Sequence, residues 1–309
     1  MITEQVAISY VYSTCEGDLL KQSGQIWTPR PSGLLVPSGT FSDSSSRSRG
    51  NFLEIKERAE AIEALYAAEK VRLPSDSDLG ALVQNAKDLW TNWFLNKQSE
   101  LSYEMIFRAL HLARIADALL PLKSEEGQSQ YLRNMLSGSL DFLARKQSRA
   151  KNMLWELELW SKIQKKLPQV YLREPPDIVV DFADGLIGIA CKKLYSEKHV
   201  QNVLSEAVSQ IEKEFRFGIV AINIDDLLPA DSIFNASNQE AAADRLFHRN
   251  GQFLEAYGRH FRKYLSNNRL ISAIVFSAVI SDLHNERPRF NNSWQWTVWS
   301  FPGIPDDCQ

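Results

Sequence analysis

The residue types best suited to chemistry lie between Pro175 and Lys193, where Asp177 precedes one short apolar run and Lys192 closes another. Ile178 to Phe182 and Leu186 to Cys191 are rich in β-branched residues and of strand length, and Asp184-Gly185 between them is a favoured two-residue hairpin turn. With that turn central, Ala183 is expected to face Leu186, Asp181 to face Gly188, Val179 to face Ala190 and Asp177 to face Lys192. Alternation then gathers Asp177, Val179, Asp181, Gly188, Ala190 and Lys192 on one side of the hairpin. A carboxylate and an ammonium on one face can hold a hard divalent cation and orient or deprotonate a water, which is the equipment of phosphoester hydrolysis. The plain alternative is a cross-strand ion pair contributing well under about 1 kcal/mol.

The elements around the hairpin must carry whatever else such a site needs. A helix is expected over Lys151 to Leu167; on a 3.6-residue period Glu156 shares a face with Trp160, Ile163 and Leu167, while Glu158 falls with Lys162 and Lys165 on a polar, solvated face. A carboxylate on an apolar stripe is costly unless paired or bound to metal, so Glu156 is the candidate and Glu158 the ordinary surface ion pair. For Glu156 the alternative is a position at the edge of the stripe. Val200, Val203, Leu204, Ala207, Val208 and Ile211 repeat at helical spacing over about 196–214, and Phe217 to Ile224 is a buried strand. With Val170 to Arg173 as a first strand, the order is helix, strand, strand, strand, helix, strand.

From about Lys151 to Ile224 the chain resembles the restriction-endonuclease-like core of the PD-(D/E)XK nuclease superfamily. Pro176-Asp177 matches the family's "PD", Ala190-Cys191-Lys192 stands where "(D/E)XK" belongs, and Glu156 matches the acid that many members carry on the first core helix. The resemblance implies metal-dependent cleavage of DNA, with RNA as the other candidate substrate, as an effector of a restriction or anti-phage defence system. It implies magnesium or manganese held by Asp177, Glu156 and the backbone carbonyl of Cys191, with Lys192 activating water. The chain departs from the pattern at Ala190, which removes the acid that bridges metal and water. Three accounts compete: an engineered inactivating substitution, natural degeneracy into a binding or scaffolding subunit, and takeover by another carboxylate. Asp181 lies roughly 13 Å along the strand from Asp177, and Glu197 lies beyond the strand, so engineered substitution is the favoured account.

Composition bounds the remainder. The 309 residues, 44% hydrophobic, suffice for a sizeable core and two domains, expected at 1–149 and 150–309. The first is expected to be mainly helical, partly β over 5–36, with a Ser-rich loop at about 38–50 and helices at about 51–71, 77–97, 101–120 and 126–148 capped by Ser75, Ser77 and Ser102. It is assigned to regulation, dimerisation, DNA positioning, or docking to a sensor or ATPase subunit. The second is expected to be mixed α/β, its sheet completed by Leu270 to Ile280 and by Trp294 to Trp299, with three Trp on one face packed on a helix or on the N-terminal domain.

Cys15, Cys191 and Cys308 are too scattered for a zinc site or a disulfide framework, and no apolar run or basic leader predicts a membrane span or signal peptide, so a cytoplasmic location is expected. The net charge of −3 leaves only local positive surface for a polyanion. Lys193, Lys198 and His199 near the hairpin, and Arg262 and Lys263 in the Arg259-to-Arg269 cluster, are the candidate nucleic-acid contacts, a solvated helix end being the alternative for that cluster. Phosphate-loop, Ser-His-Asp and HExxH patterns are absent, which removes ATPase, serine hydrolase and zincin chemistries.

Overall fold

The computed structural model describes residues 26–29, 35–38, 51–125, 127–142, 144–167, 169–182, 185–229, 233–267 and 269–299. Apart from Ser38, the Ser-rich stretch lies outside them, as do Cys15, Asp184 and Cys308. β1 (Ile26–Pro29) and β2 (Leu35–Ser38) form a separate antiparallel pair.

Three helices follow, α1 (Phe52–Ala68), α2 (Asp78–Phe94) and α3 (Tyr103–Leu119). Each starts where a short polar side chain accepts an otherwise unpaired backbone N–H: Asn51 from Glu54, Ser77 from Gly80, and Ser102 from Met105. Ser75 caps none of them. The helix expected over 126–148 is cut to α4 (Gln128–Met135). Gly138, at φ 115°, holds a conformation that suits glycine and ends any continuous helix there. Ser148 then caps α5 (Arg149–Gln164) by accepting from Lys151 N–H.

α5 is buried on nearly every side, because the helical layer covers one flank and the sheet the other. Trp155 shows the sheet contact: its Nε1–H donates to Ala221 O at 3.2 Å and its ring stacks on Phe276 at 4.8 Å. One apolar cluster runs from Ile62 and Leu112 through Leu154 and Trp160 to Ile178, Ile189 and Phe276. Helices and sheet thus share a core. Periodicity misassigned Glu158 for this reason, since a helix covered on two sides has no solvated face to mark.

The main sheet has seven strands: β3 (Val170–Leu172), β4 (Ile178–Phe182), β5 (Gly185–Lys193), β6 (Phe217–Asn223), β7 (Phe234–Ala236), β8 (Ser272–Leu283) and β9 (Phe290–Trp299). β3, β4 and β5 pair antiparallel; β5–β6, β6–β8 and β7–β8 are parallel, and β9 returns antiparallel on β8. α6 (Val200–Glu212) and α7 (Gln239–Leu265) close the face opposite α5, with Leu204, Val208, Phe253 and Phe261 packed in one cluster with Ala190, Val220 and Val275. The fold is mixed α/β with a helical N-terminal region; from α5 to β6 its element order is the one expected, while β7, a three-residue strand, was not anticipated.

The hairpin register differs from expectation by two residues. Val179 pairs with Gly188, Asp181 with Leu186 and Phe182 with Gly185, so Gly185 is a strand residue. Gly188 favours this register, since a Cβ there would lie 2.9 Å from Pro176 Cγ and 3.0 Å from Phe215. Because the shift is even, each residue keeps its face. What changes is the neighbour: Asp177 comes level with Ala190, its N–H donating to Ile189 O at 3.2 Å.

The C-terminal tryptophans do not share one face. Trp296 packs edge-on to Phe276 at 5.1 Å, on the α5 side, with Trp294 beside it at 6.2 Å, whereas Trp299 meets Phe261 of α7 at 5.0 Å on the other. No described helix is long and apolar enough to cross a membrane.

Candidate functional site

Asp177 sits just before β4 and is 8% exposed. Its Oδ2 accepts the Cys191 N–H at 2.5 Å, and its Oδ1 accepts from Gln210 Nε2 at 3.2 Å. The Oε1 of the same amide accepts from Lys192 Nζ at 2.8 Å. The acid and the lysine are therefore joined through one side chain of α6 rather than paired directly, and the simple cross-strand ion pair is not what forms.

Glu156 of α5 completes the acidic side of this group. Burial pushes its carboxyl well above the ordinary carboxylate range, and the negative charges of Asp177 and Glu174 push it further. Burial likewise raises the Asp177 carboxyl, against the pull of the Cys191 N–H and of Lys192. Two buried acids, of which Asp177 raises the proton affinity of Glu156 and Glu174 raises that of both, are an arrangement that a divalent cation would relieve, so the donor chemistry fits a hard metal ion. Among the described residues no group of three His, Cys, Asp or Glu side chains converges as a complete metal site. Ala190 is fully buried in the apolar cluster that contains Val179, Leu204 and Val208.

The other expected residues are distributed unevenly. Cys191 meets Asp177 through its N–H, not its carbonyl, and burial raises its thiol well above the ordinary range. Neither proposed substitute acid approaches: Asp181 is exposed and level with Leu186, and Glu197 accepts from Tyr257 Oη at 2.8 Å. Lys198 and His199 are exposed on a 3-10 turn before α6, and Arg262 and Lys263 are exposed near the end of α7. Lys193 points to the α5 side, its side chain 3% exposed and its ammonium 2.7 Å from Asp226 Oδ2. That placement leaves it no surface to offer a phosphate. Gln210 and Glu174 escaped sequence reasoning. For Glu174 the signal was present, an acid directly before Pro175-Pro176-Asp177; for Gln210, one polar residue on an amphipathic helix, there was none.

Lys193 belongs to a second charged group that the sequence did not announce. Arg114 of α3 binds Glu158 bidentately at 2.6 and 2.7 Å and reaches Asp225 Oδ2 at 2.6 Å. Asp225 also accepts the Ala278 N–H at 2.7 Å, while Asp226 takes Lys193 and lies 3.5 Å from Lys151. Glu158 is thus buried and paired, not solvated. Arg114 and Asp225 also line a cavity of about 640 Å³ between α2, α3 and β8. No protein-family model matches the chain, and no curated protein matches it.

Proposed function

We propose that the chain is a metal-dependent nuclease of restriction-endonuclease-like architecture, built to hydrolyse phosphodiester bonds of DNA and inactivated by Ala at position 190. The observation that carries this reading is the linkage Asp177–Gln210–Lys192, with Glu156 beside it: an acid at the start of β4 and a lysine on β5 held by one amide. Asp177 and Glu156 would hold a magnesium or manganese ion, which supplies Lewis-acid stabilisation of phosphoryl charge and a more acidic water. Lys192 faces the same group and can orient that water or offset charge on the phosphate. The αβββαβ order supports the architecture. Membership of a restriction or anti-phage system, with the helical layer serving a homodimer or a sensor or ATPase partner, belongs to the same proposal.

A second reading is favoured by one observation. The Ala190 methyl is closed into apolar surroundings, as expected of a naturally degenerate fold that binds nucleic acid or scaffolds a partner. Ala190→Glu and Ala190→Gln, assayed on plasmid DNA and on RNA with magnesium and with manganese, separate the two. Cleavage by the Glu variant alone supports the nuclease. A folded Glu variant that stays inert on every substrate and metal removes it and leaves the degenerate reading.

A further inference from the structure

α7 is 27 residues long, and its two sides have opposite characters. Leu246, Leu254, Phe261 and Leu265 bury one side in the core. On the other, Arg245, Arg249, Arg259 and Lys263 are all exposed and stand at i, i+4, i+14 and i+18, one line along the helix surface, with His248 and Arg262 beside it. From Arg245 to Lys263 the line spans about 27 Å at 1.5 Å per residue. Between those residues the helix carries a single carboxylate, Glu255, which is partly buried. Among the described residues Arg249, Arg262 and Lys263 enter none of the surface ion pairs, which join Arg173 to Glu214, Arg269 to Glu212 and Arg289 to Asp282 among others. His260, between them, has its pKa lowered by burial and then by the charges of Arg259 and Lys263. Tyr257 joins the Glu197–His199 turn to the helix through its hydrogen bond to Glu197, adding exposed Lys198 and His199 at the flank.

We infer that the outer face of α7 docks the sugar-phosphate backbone of duplex nucleic acid. The face lacks the exposed aromatic and aliphatic centre on which protein interfaces depend. It cannot serve as an interfacial membrane helix either, because its apolar side is already buried in the core. A line of cations on a chain of net charge −3 is the local footprint of polyanion binding. The inference shares its class of substrate with the nuclease reading but none of its chemistry, since docking needs neither a metal nor an acid at position 190.

The test uses the chain as it stands, in EDTA, with a fluorescent duplex of about 30 base pairs titrated at several salt concentrations. The triple variant Arg249→Glu, Arg259→Glu, Arg262→Glu is compared with Arg72→Glu, Lys123→Glu, Lys146→Glu, which changes net charge equally elsewhere on the surface. The first should weaken binding at least tenfold, and neutralising three contacts should flatten the slope of log affinity against log salt by about 2.7; the second should do neither. Absence of duplex binding by the unaltered chain overturns the inference. So does equal weakening by both variants, or capture of poly-glutamate or anionic vesicles in preference to duplex. Loss of cleavage in a repaired Ala190→Glu chain with binding intact would count against the nuclease reading alone.

Discussion

His111 offers a test of the packing between α3 and the segment after α4. Its ring stacks on Phe142 at 4.3 Å, and its pKa is lowered from 6.5 to about 3 by burial and by Arg114, with Asp225 opposing. The folded protein therefore keeps the imidazole neutral at pH values where an unfolded chain would protonate it. Below about pH 6.5 the unfolded state binds the extra proton, so stability falls as pH falls, and the loss levels off near pH 3, where the folded state also binds it. Between pH 7 and pH 5 this one group should remove about 1.9 kcal/mol of unfolding free energy, the logarithm of the ratio of unfolded-state proton-binding polynomials at the two values. Urea unfolding at both pH values measures it, with His111→Phe as the reference that keeps an aromatic ring against Phe142 but cannot titrate. The other histidines are common to both proteins and cancel in the difference. Equal losses on acidification for the two proteins would refute the assignment.

Three further outcomes follow from the polar contacts above and from the packing of α6. Arg114→Leu leaves Glu158 as a buried carboxylate without its cation and leaves Asp225 only Lys193 at 3.8 Å, and should cost about 3–5 kcal/mol in denaturant melts, part of it recovered when Glu158→Leu and Asp225→Asn are added. Gln210→Leu removes the amide between Asp177 and Lys192; it should cost about 1 kcal/mol of stability, and on an Ala190→Glu background it should lower cleavage at least tenfold while calorimetry still detects manganese binding. Unchanged cleavage would deny Gln210 its positioning role. Gly218→Ala would set a methyl 2.3 Å from Ile211 Cγ2 and 2.8 Å from Gly188 O, so α6 must shift, and thermal melts should report about 1–3 kcal/mol lost.

The strands and the helix order were legible because alternation and 3.6-residue spacing are strong where one face is buried and the other is not. The same logic failed on α5, where burial on two flanks erased the contrast and sent Glu158 to the wrong environment. The hairpin face was legible although its register was not: parity depends only on alternation, whereas register depended on Gly188 meeting Pro176 and Phe215, contacts that no local pattern encodes. Asp177, Lys192 and Glu156 were readable from type and place. Gln210 was not, since the two bonds that make it important reach from α6 to Lys192 on β5 and to Asp177 just before β4. Lys193 looked like its neighbour Lys192, yet alternation places it on the opposite face, where Asp226 receives it.

The charged group around Arg114 also bears on how the chain is made. Its members come from α3, α5, the end of β5 and the turn after β6, so Arg114 and Glu158 emerge from the ribosome before the residues that let them be buried. About 110 residues separate Arg114 from Asp226, and at about 5–20 residues per second that interval lasts about 6–20 s. During it the α3–α5 contact lacks its third partner, and Trp155 and Leu154 lack the sheet they pack on. The first half of the protein is thus born as an incomplete surface: the turn at Asp225-Asp226 brings its charged partners, and β8, with Phe276 and Ala278, must follow before it closes.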